Sequence, residues 1–102
     1  MYGKLEEIER TYEELTAQLG SPELVADQKA YMAVARQQRE LERIVEKYRE
    51  FKSLRDGIAS TRELLDETDD AEMREMAVAE LADLESRVER SESELKLLLI
   101  PK

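Results

Sequence analysis

Residues 28–66 read QKAYMAVARQQRELERIVEKYREFKSLRDGIASTRELLD, and the fold turns on whether this stretch is one helix or two. It holds no proline and is rich in Ala, Arg, Glu, Leu and Lys, all strong helix formers. Val34, Leu41 and Tyr48 recur every seventh residue, and Ile44, Phe51, Ile58 and Leu65 form a second row of the same period. Rows of this kind stay on one side of a helix that packs lengthwise against a partner. A single helix here would be about 60 Å long at 1.5 Å per residue, beyond the usual length in globular proteins. Asp56-Gly57 could stop it, and Ser60 followed by Glu63 could restart it through a capping box. The row Phe51, Ile58, Leu65 nevertheless keeps phase across the glycine, and an interior glycine costs only about 1 kcal/mol. Residues 28–66 are therefore read as one long helix with a kink at Gly57, a split there being the alternative.

On the N-terminal side, Leu5, Ile8, Tyr12, Leu15 and Leu19 follow spacings of three and four. They mark a shorter amphipathic helix over about 2–19, with Glu6, Glu7, Glu9, Glu13 and Glu14 on its other faces. Gly20 ends it. Ser21-Pro22-Glu23 supplies a cap residue and a proline fitted to a first helical turn, so Pro22 to Val25 is expected as a single turn within a corner over 20–27. Asp27 then caps the long helix. On the C-terminal side, Glu67-Thr68-Asp69-Asp70 breaks the pattern, with Asp69 placed to form a capping box with Glu72. The following helix, over about 70–99, has the cleanest heptads in the chain: Ala77, Leu81, Leu84, Val88, Ser91, Leu95 and Leu98. A connection of about four residues makes the two long helices antiparallel. The expected fold is all-α: an elongated antiparallel helical hairpin or coiled coil with the shorter N-terminal helix packed on it. That is a three-helix bundle tapering to two, in a single helical domain over 1–102.

Composition narrows the chemistry. Of 102 residues 41% are hydrophobic and 40% charged, and 25 acids against 16 bases give a net charge of -9. The charged share exceeds the roughly 25% of an average globular domain, which suits long solvated helix faces. The chain has no His, Cys or Trp. The usual zinc ligand sets, thiol nucleophiles and the Ser-His-Asp triad therefore cannot be assembled from it. Gly3, Gly20 and Gly57 are too scattered for a phosphate-binding loop. Neither enzymatic activity nor a cofactor is expected of this chain by itself. A calcium loop over Asp66, Thr68 and Asp70 would need glycine where Ala71 stands and glutamate where Ala77 stands. No run approaches ~18 apolar residues and the first residues lack a signal-peptide core, so a cytoplasmic protein without a membrane partner is expected.

Charge is layered along the chain: the net is -3 over residues 1–19, 0 over 20–66 and -6 over 67–102. A helix that is basic in its middle, lying between two acidic ones, would select partner and register through charges beside the seam, and packing is the preferred role for its bases. The alternative is a contact surface. Arg36, Arg39, Arg43 and Lys47 recur at helical spacing and form a candidate ribbon for RNA phosphate, although an acidic chain is not expected to read nucleic-acid sequence directly. Tyr12, Tyr48 and Phe51 fall on the apolar stripes and are assigned to the core. Met73 and Met76 are assigned to gap filling where the turn meets the seam. Leu97-Leu98-Leu99-Ile100 exceeds what one stripe can bury against one neighbour, so part of it should be exposed and promote self-association.

Taken together, these segments resemble the N-terminal helical domain of the bacterial class I peptide chain release factors. Leu5-Glu6-Glu7-Ile8-Glu9 with Tyr12-Glu13-Glu14-Leu15 is similar to the family's opening helix. Ser21-Pro22-Glu23 with Asp27 is similar to its corner, which commonly has Asp where Ser21 stands. Ile44-Val45-Glu46-Lys47-Tyr48-Arg49-Glu50 resembles its second helix. Asp70 to Ala77 resembles a segment that often has proline in place of Ala71. The closing Leu97-Leu98-Leu99-Ile100-Pro101-Lys102 is the most specific piece, and it looks like the factor type that reads UAA and UAG more than the type that reads UAA and UGA. The resemblance implies a part of a translation-termination factor that lies near the stalk base of the large ribosomal subunit and works with the factor's remaining domains. The family's Gly-Gly-Gln tripeptide, which promotes peptidyl-tRNA hydrolysis, and its codon-reading Pro-x-Thr tripeptide are absent from these 102 residues. No catalytic or decoding residue is carried over. A self-standing coiled-coil scaffold or adaptor that oligomerises through its seams is the alternative of a different class.

Overall fold

A computed structural model of the chain describes residues 1–101. Lys102, the last residue of the ending that carries the resemblance, lies outside them. Four helices follow one another: α1 (Tyr2–Gln18), α2 (Pro22–Val25), α3 (Gln28–Glu67) and α4 (Ala71–Leu98). The all-α expectation holds, and no strand occurs among the described residues. Helix α3 runs unbroken through Asp56-Gly57, which overturns the split alternative. Thr61 Oγ1 donates back to the Gly57 carbonyl at 2.7 Å, as a hydroxyl does inside a continuing helix. A β-carbon at Gly57 would sit 3.4 Å from Leu84 Cδ1 of α4, so the glycine faces the seam.

The chain divides into two compact units, Met1–Glu46 and Lys47–Lys102. In the first unit, α1 buries Leu5 and Leu15 and half-buries Ile8, Tyr12 and Leu19, as its spacing requires. Glu9 is also buried, at 8% exposure, which corrects its placement on a solvated face. Four residues after Leu5 and three before Tyr12, it belongs to the stripe itself. Gln38 of α3 donates to Thr16 Oγ1 at 3.2 Å, and Leu41 shares a groove with Ile8 and Thr11 of α1. The partner positions recede along α1 as α3 advances, so the two segments run antiparallel. At the corner, Asp27 Oδ1 accepts from Ala30 N at 3.1 Å and caps α3 as expected. Ser21 does not cap α2 with its side chain. Its hydroxyl donates instead to Glu23 Oε2 at 2.7 Å, which holds the Glu23 carboxyl below its usual range.

In the second unit, the rest of α3 pairs with α4. Lys47 meets Glu94 and Arg62 meets Glu85, a descending register that defines an antiparallel hairpin. Tyr48, Phe51, Leu54 and Ile58 of α3 and Ala77, Leu84, Ser91 and Leu95 of α4 are buried. Leu54, Ile58 and Leu84 form a cluster completed by Leu81 and Val88. All seven α4 seam positions expected from the heptads are buried or half-buried. Leu54, absent from both expected rows of α3, lies in a third row whose other members, Lys47 and Thr61, are polar and mask it. Ser91 is 2% exposed and its Oγ has no hydrogen-bond partner among the described residues, so the seam uses its small size rather than its hydroxyl. The turn differs from expectation by one residue. Asp70, not Asp69, is the cap of α4, its Oδ1 accepting from Glu72 N at 2.9 Å and Met73 N at 3.2 Å. Thr68 Oγ1 accepts from Asp70 N at 3.2 Å and thereby fixes the cap in place.

Candidate functional site

The four bases singled out by spacing fall into two settings. Lys47, in the second unit, is held between carboxylates: its Nζ is 2.9 Å from Glu50 Oε2 and 2.5 Å from Glu94 Oε2, with 26% of its side chain exposed. Hydrogen bonding to Glu94 first, and then to Glu50, holds the Lys47 ammonium above the usual lysine range. Arg36, Arg39 and Arg43, in the first unit, are exposed. They make no side-chain hydrogen bond or ion pair among the described residues.

Helical geometry shows which way these arginines face. At 3.6 residues per turn, Arg36, Arg39 and Arg43 lie within about 60° of one another around α3. Val34, Leu41 and the buried Val45 point nearly the opposite way, about 170° round the helix. The three guanidiniums thus form one solvated face directed away from the first unit's packed side. Each presents a rigid fork of N–H donors with a permanent charge, suited to phosphate or carboxylate. Met32, one turn earlier on the same face, is 58% exposed.

Farther along α3 the bases are occupied by packing. Lys52 Nζ lies 4.5 Å from the centroid of the Tyr48 ring, and Arg55 Cζ 5.5 Å from that of Phe51. Arg62 Nη2 donates to Glu85 Oε1 at 3.1 Å. Spacing alone does not separate the two settings, because the bases before and after residue 46 recur alike. Part of the separating signal is local, since Tyr48 and Phe51 stand one turn before Lys52 and Arg55; the rest is the set of acids on α4, which becomes legible only once the hairpin register is known.

Other sequence candidates are placed as follows. Tyr48 and Phe51 are core residues and Tyr12 is half-buried. Met73 and Met76 do not fill gaps: they are 44% and 72% exposed, because Thr61 and Ala77 beside them leave the end of the hairpin open. Leu97 and Ile100 are exposed, while Leu98 and Leu99 are half-buried. Among the described residues, no group of three or more Asp or Glu side chains is arranged to hold a metal ion. Among the described residues, no helix is long and apolar enough to cross a membrane.

Comparison with known proteins gives a consistent result. Residues 8–102 match the PCRF domain. Over its full length the chain is 50% identical to a protein of Acidobacterium capsulatum named peptide chain release factor 1. It is 44% and 42% identical over 102 residues to proteins of the same name from Clostridioides difficile and Enterococcus faecalis. The chain spans 28% of the length of the first and 29% of the other two. No solved structure matches it.

Proposed function

The chain belongs to the PCRF domain family, and on that basis we propose that it serves as the N-terminal, ribosome-positioning domain of a release factor 1 type translation-termination factor. In such a factor the remaining domains read UAA or UAG and carry the Gly-Gly-Gln chemistry of peptide release. The chain's own part is to bind and orient near the stalk base of the large subunit, in the cytoplasm, as one helical domain over 1–102. The single observation that carries the contact face is the row Arg36, Arg39, Arg43, three exposed guanidiniums that packing does not use. Exposed guanidiniums gathered on one face attract phosphate or carboxylate and steer a net-negative protein into a defined orientation.

The test is a release factor carrying Arg36→Glu, Arg39→Glu and Arg43→Glu. Its affinity for ribosomes should fall more than tenfold at low salt, the salt dependence should flatten, and the thermal midpoint should not move. Unchanged affinity would remove this face from the proposal. Loss of affinity together with loss of stability would return the arginines to a packing role.

A further inference from the structure

The turn end of the second unit carries an apolar groove that ribosome positioning through the arginine face does not use. Thr61 and Leu64 of α3, with Met73, Met76, Ala77 and Glu80 of α4, line an open recess of about 270 Å³. Ala77 is buried and forms its floor, whereas Leu64, Met73 and Met76 stand 38%, 44% and 72% exposed along its walls. The recess is below the roughly 300–1,000 Å³ of a pocket that encloses a small molecule, and it is open to one side. Its size suits one or two apolar side chains of a protein segment. Two methionines on the walls can re-pack around such anchors because the thioether chain is flexible and polarisable.

Charge around the groove is one-sided. Between residues 60 and 80 there are eight acidic side chains and two basic ones. Both bases are committed: Arg62 to Glu85, and Arg74 Nη1 to the carbonyls of Leu65 at 2.6 Å and Thr68 at 3.3 Å. Glu67 lies one turn beyond Leu64, and Glu72 and Glu80 lie one turn to either side of Met76. All three are exposed and make no ion pair among the described residues. An apolar groove rimmed by unpaired acids repels phosphate. It also repels the same groove of a second copy, which would bring the same acids.

We propose that this groove docks a basic amphipathic protein segment. Its apolar side chains enter between Leu64, Met73 and Met76, and its Lys or Arg side chains face Glu67, Glu72 and Glu80. The reading is independent of the arginine face, since it uses other residues of the other unit.

The test titrates the 102-residue chain, labelled at its methionine methyl groups, with three synthetic helical peptides and follows the methyl resonances. One peptide has Leu at i, i+3, i+4 and i+7 with Lys elsewhere, the second has Glu for every Lys, and the third has Ala for every Leu. The Leu/Lys peptide should shift Met73 and Met76 saturably and leave Met32 unmoved, with the other two at least tenfold weaker. Met73→Gln with Met76→Gln should weaken binding about tenfold without lowering the thermal midpoint, since both side chains are exposed. Glu67→Lys with Glu72→Lys and Glu80→Lys should weaken it at least as much. Equal affinity for the Leu/Lys and Ala/Lys peptides would overturn the proposal, because the groove would then contribute nothing beyond charge. So would equal shifts at Met32. Shifts of Met73 and Met76 that grow with protein concentration and no peptide would assign the groove to a second copy instead.

Discussion

The two stretches of α3 on either side of Glu46 carry the same kinds of bases and use them differently. From Lys47 onward, four cations have partners: Lys47 between Glu50 and Glu94, Arg62 against Glu85 of α4, and, within α3 itself, Lys52 over Tyr48 and Arg55 over Phe51. Before Glu46, Arg36, Arg39 and Arg43 stand in solvent. A base is occupied when the facing helix offers an acid at the right height or its own helix offers an aromatic ring one turn earlier, and it remains available when neither is present. Lys47 lies within about 80° of all three arginines around α3, so binding capacity is set by whether a partner faces the base more than by its angle or by how many bases the helix carries.

The widest gap between the two stretches should appear on charge reversal. Lys47→Glu with Arg62→Glu places like charges across the hairpin and should lower stability by about 2 kcal/mol, whereas Arg36→Glu with Arg39→Glu and Arg43→Glu should leave it within about 0.5 kcal/mol. Denaturant titration of both variants decides this, and equal losses would erase the distinction. Next in size is the turn that fixes the engaged stretch in register. Asp70→Ala should cost about 1 kcal/mol through loss of the α4 cap, and Asp69→Ala only a few tenths. Equal effects would mean that the cap is shared between them.

Gly57→Ala should act in the other direction. Helix propensity favours alanine by about 1 kcal/mol, and the added carbon would meet Leu84 at ordinary contact distance, so the thermal midpoint should rise by about 4–8 °C. A fall would mean that the seam cannot give even slightly at this point. The smallest effect is alkaline. Because Lys47 is held above the usual lysine range, its contribution is complete below about pH 10.4 and is lost as pH rises through its raised value. Stability should therefore decline somewhat more steeply above that pH in the native chain than in Lys47→Met, by a few tenths of a kcal/mol. Parallel curves would show that the ion pairs contribute nothing.

Much of this architecture was legible in the residues themselves. Heptads from Ala77 to Leu98 named the α4 seam, and the unbroken phase of Phe51, Ile58 and Leu65 outweighed Gly57. What escaped had definite physical causes. Leu54 stands between Lys47 and Thr61 in a polar row, and Val45 stands beside Ile44, outside the stripe that the heptad rows mark. Glu9 looked solvated because its type is usually exposed, although its spacing put it on the stripe. Met73 and Met76 have the spacing of a seam, but whether a seam closes at its end depends on the residues opposite, and there Thr61 is small. The candidate site was legible as a row of four bases. Its division into three free arginines and one engaged lysine required knowing where α4 places Glu94.

The turn between α3 and α4 also bears on how the chain folds in time. Asp70 caps one helix, while Arg74 ties the carbonyls of Leu65 and Thr68 at the end of the other, all within a few residues of sequence. Closing so short a loop forfeits little chain entropy, whereas bringing Lys47 to Glu94 directly closes a far longer one at a greater cost. The hairpin should therefore nucleate at the turn and zip toward Lys47, with local contacts that favour fast folding. Stopped-flow kinetics of Asp70→Ala should show slower folding, whereas Lys47→Met should mainly accelerate unfolding. The residues that set the speed of assembly are thus gathered at one end of the hairpin, and those that set its lifetime at the other.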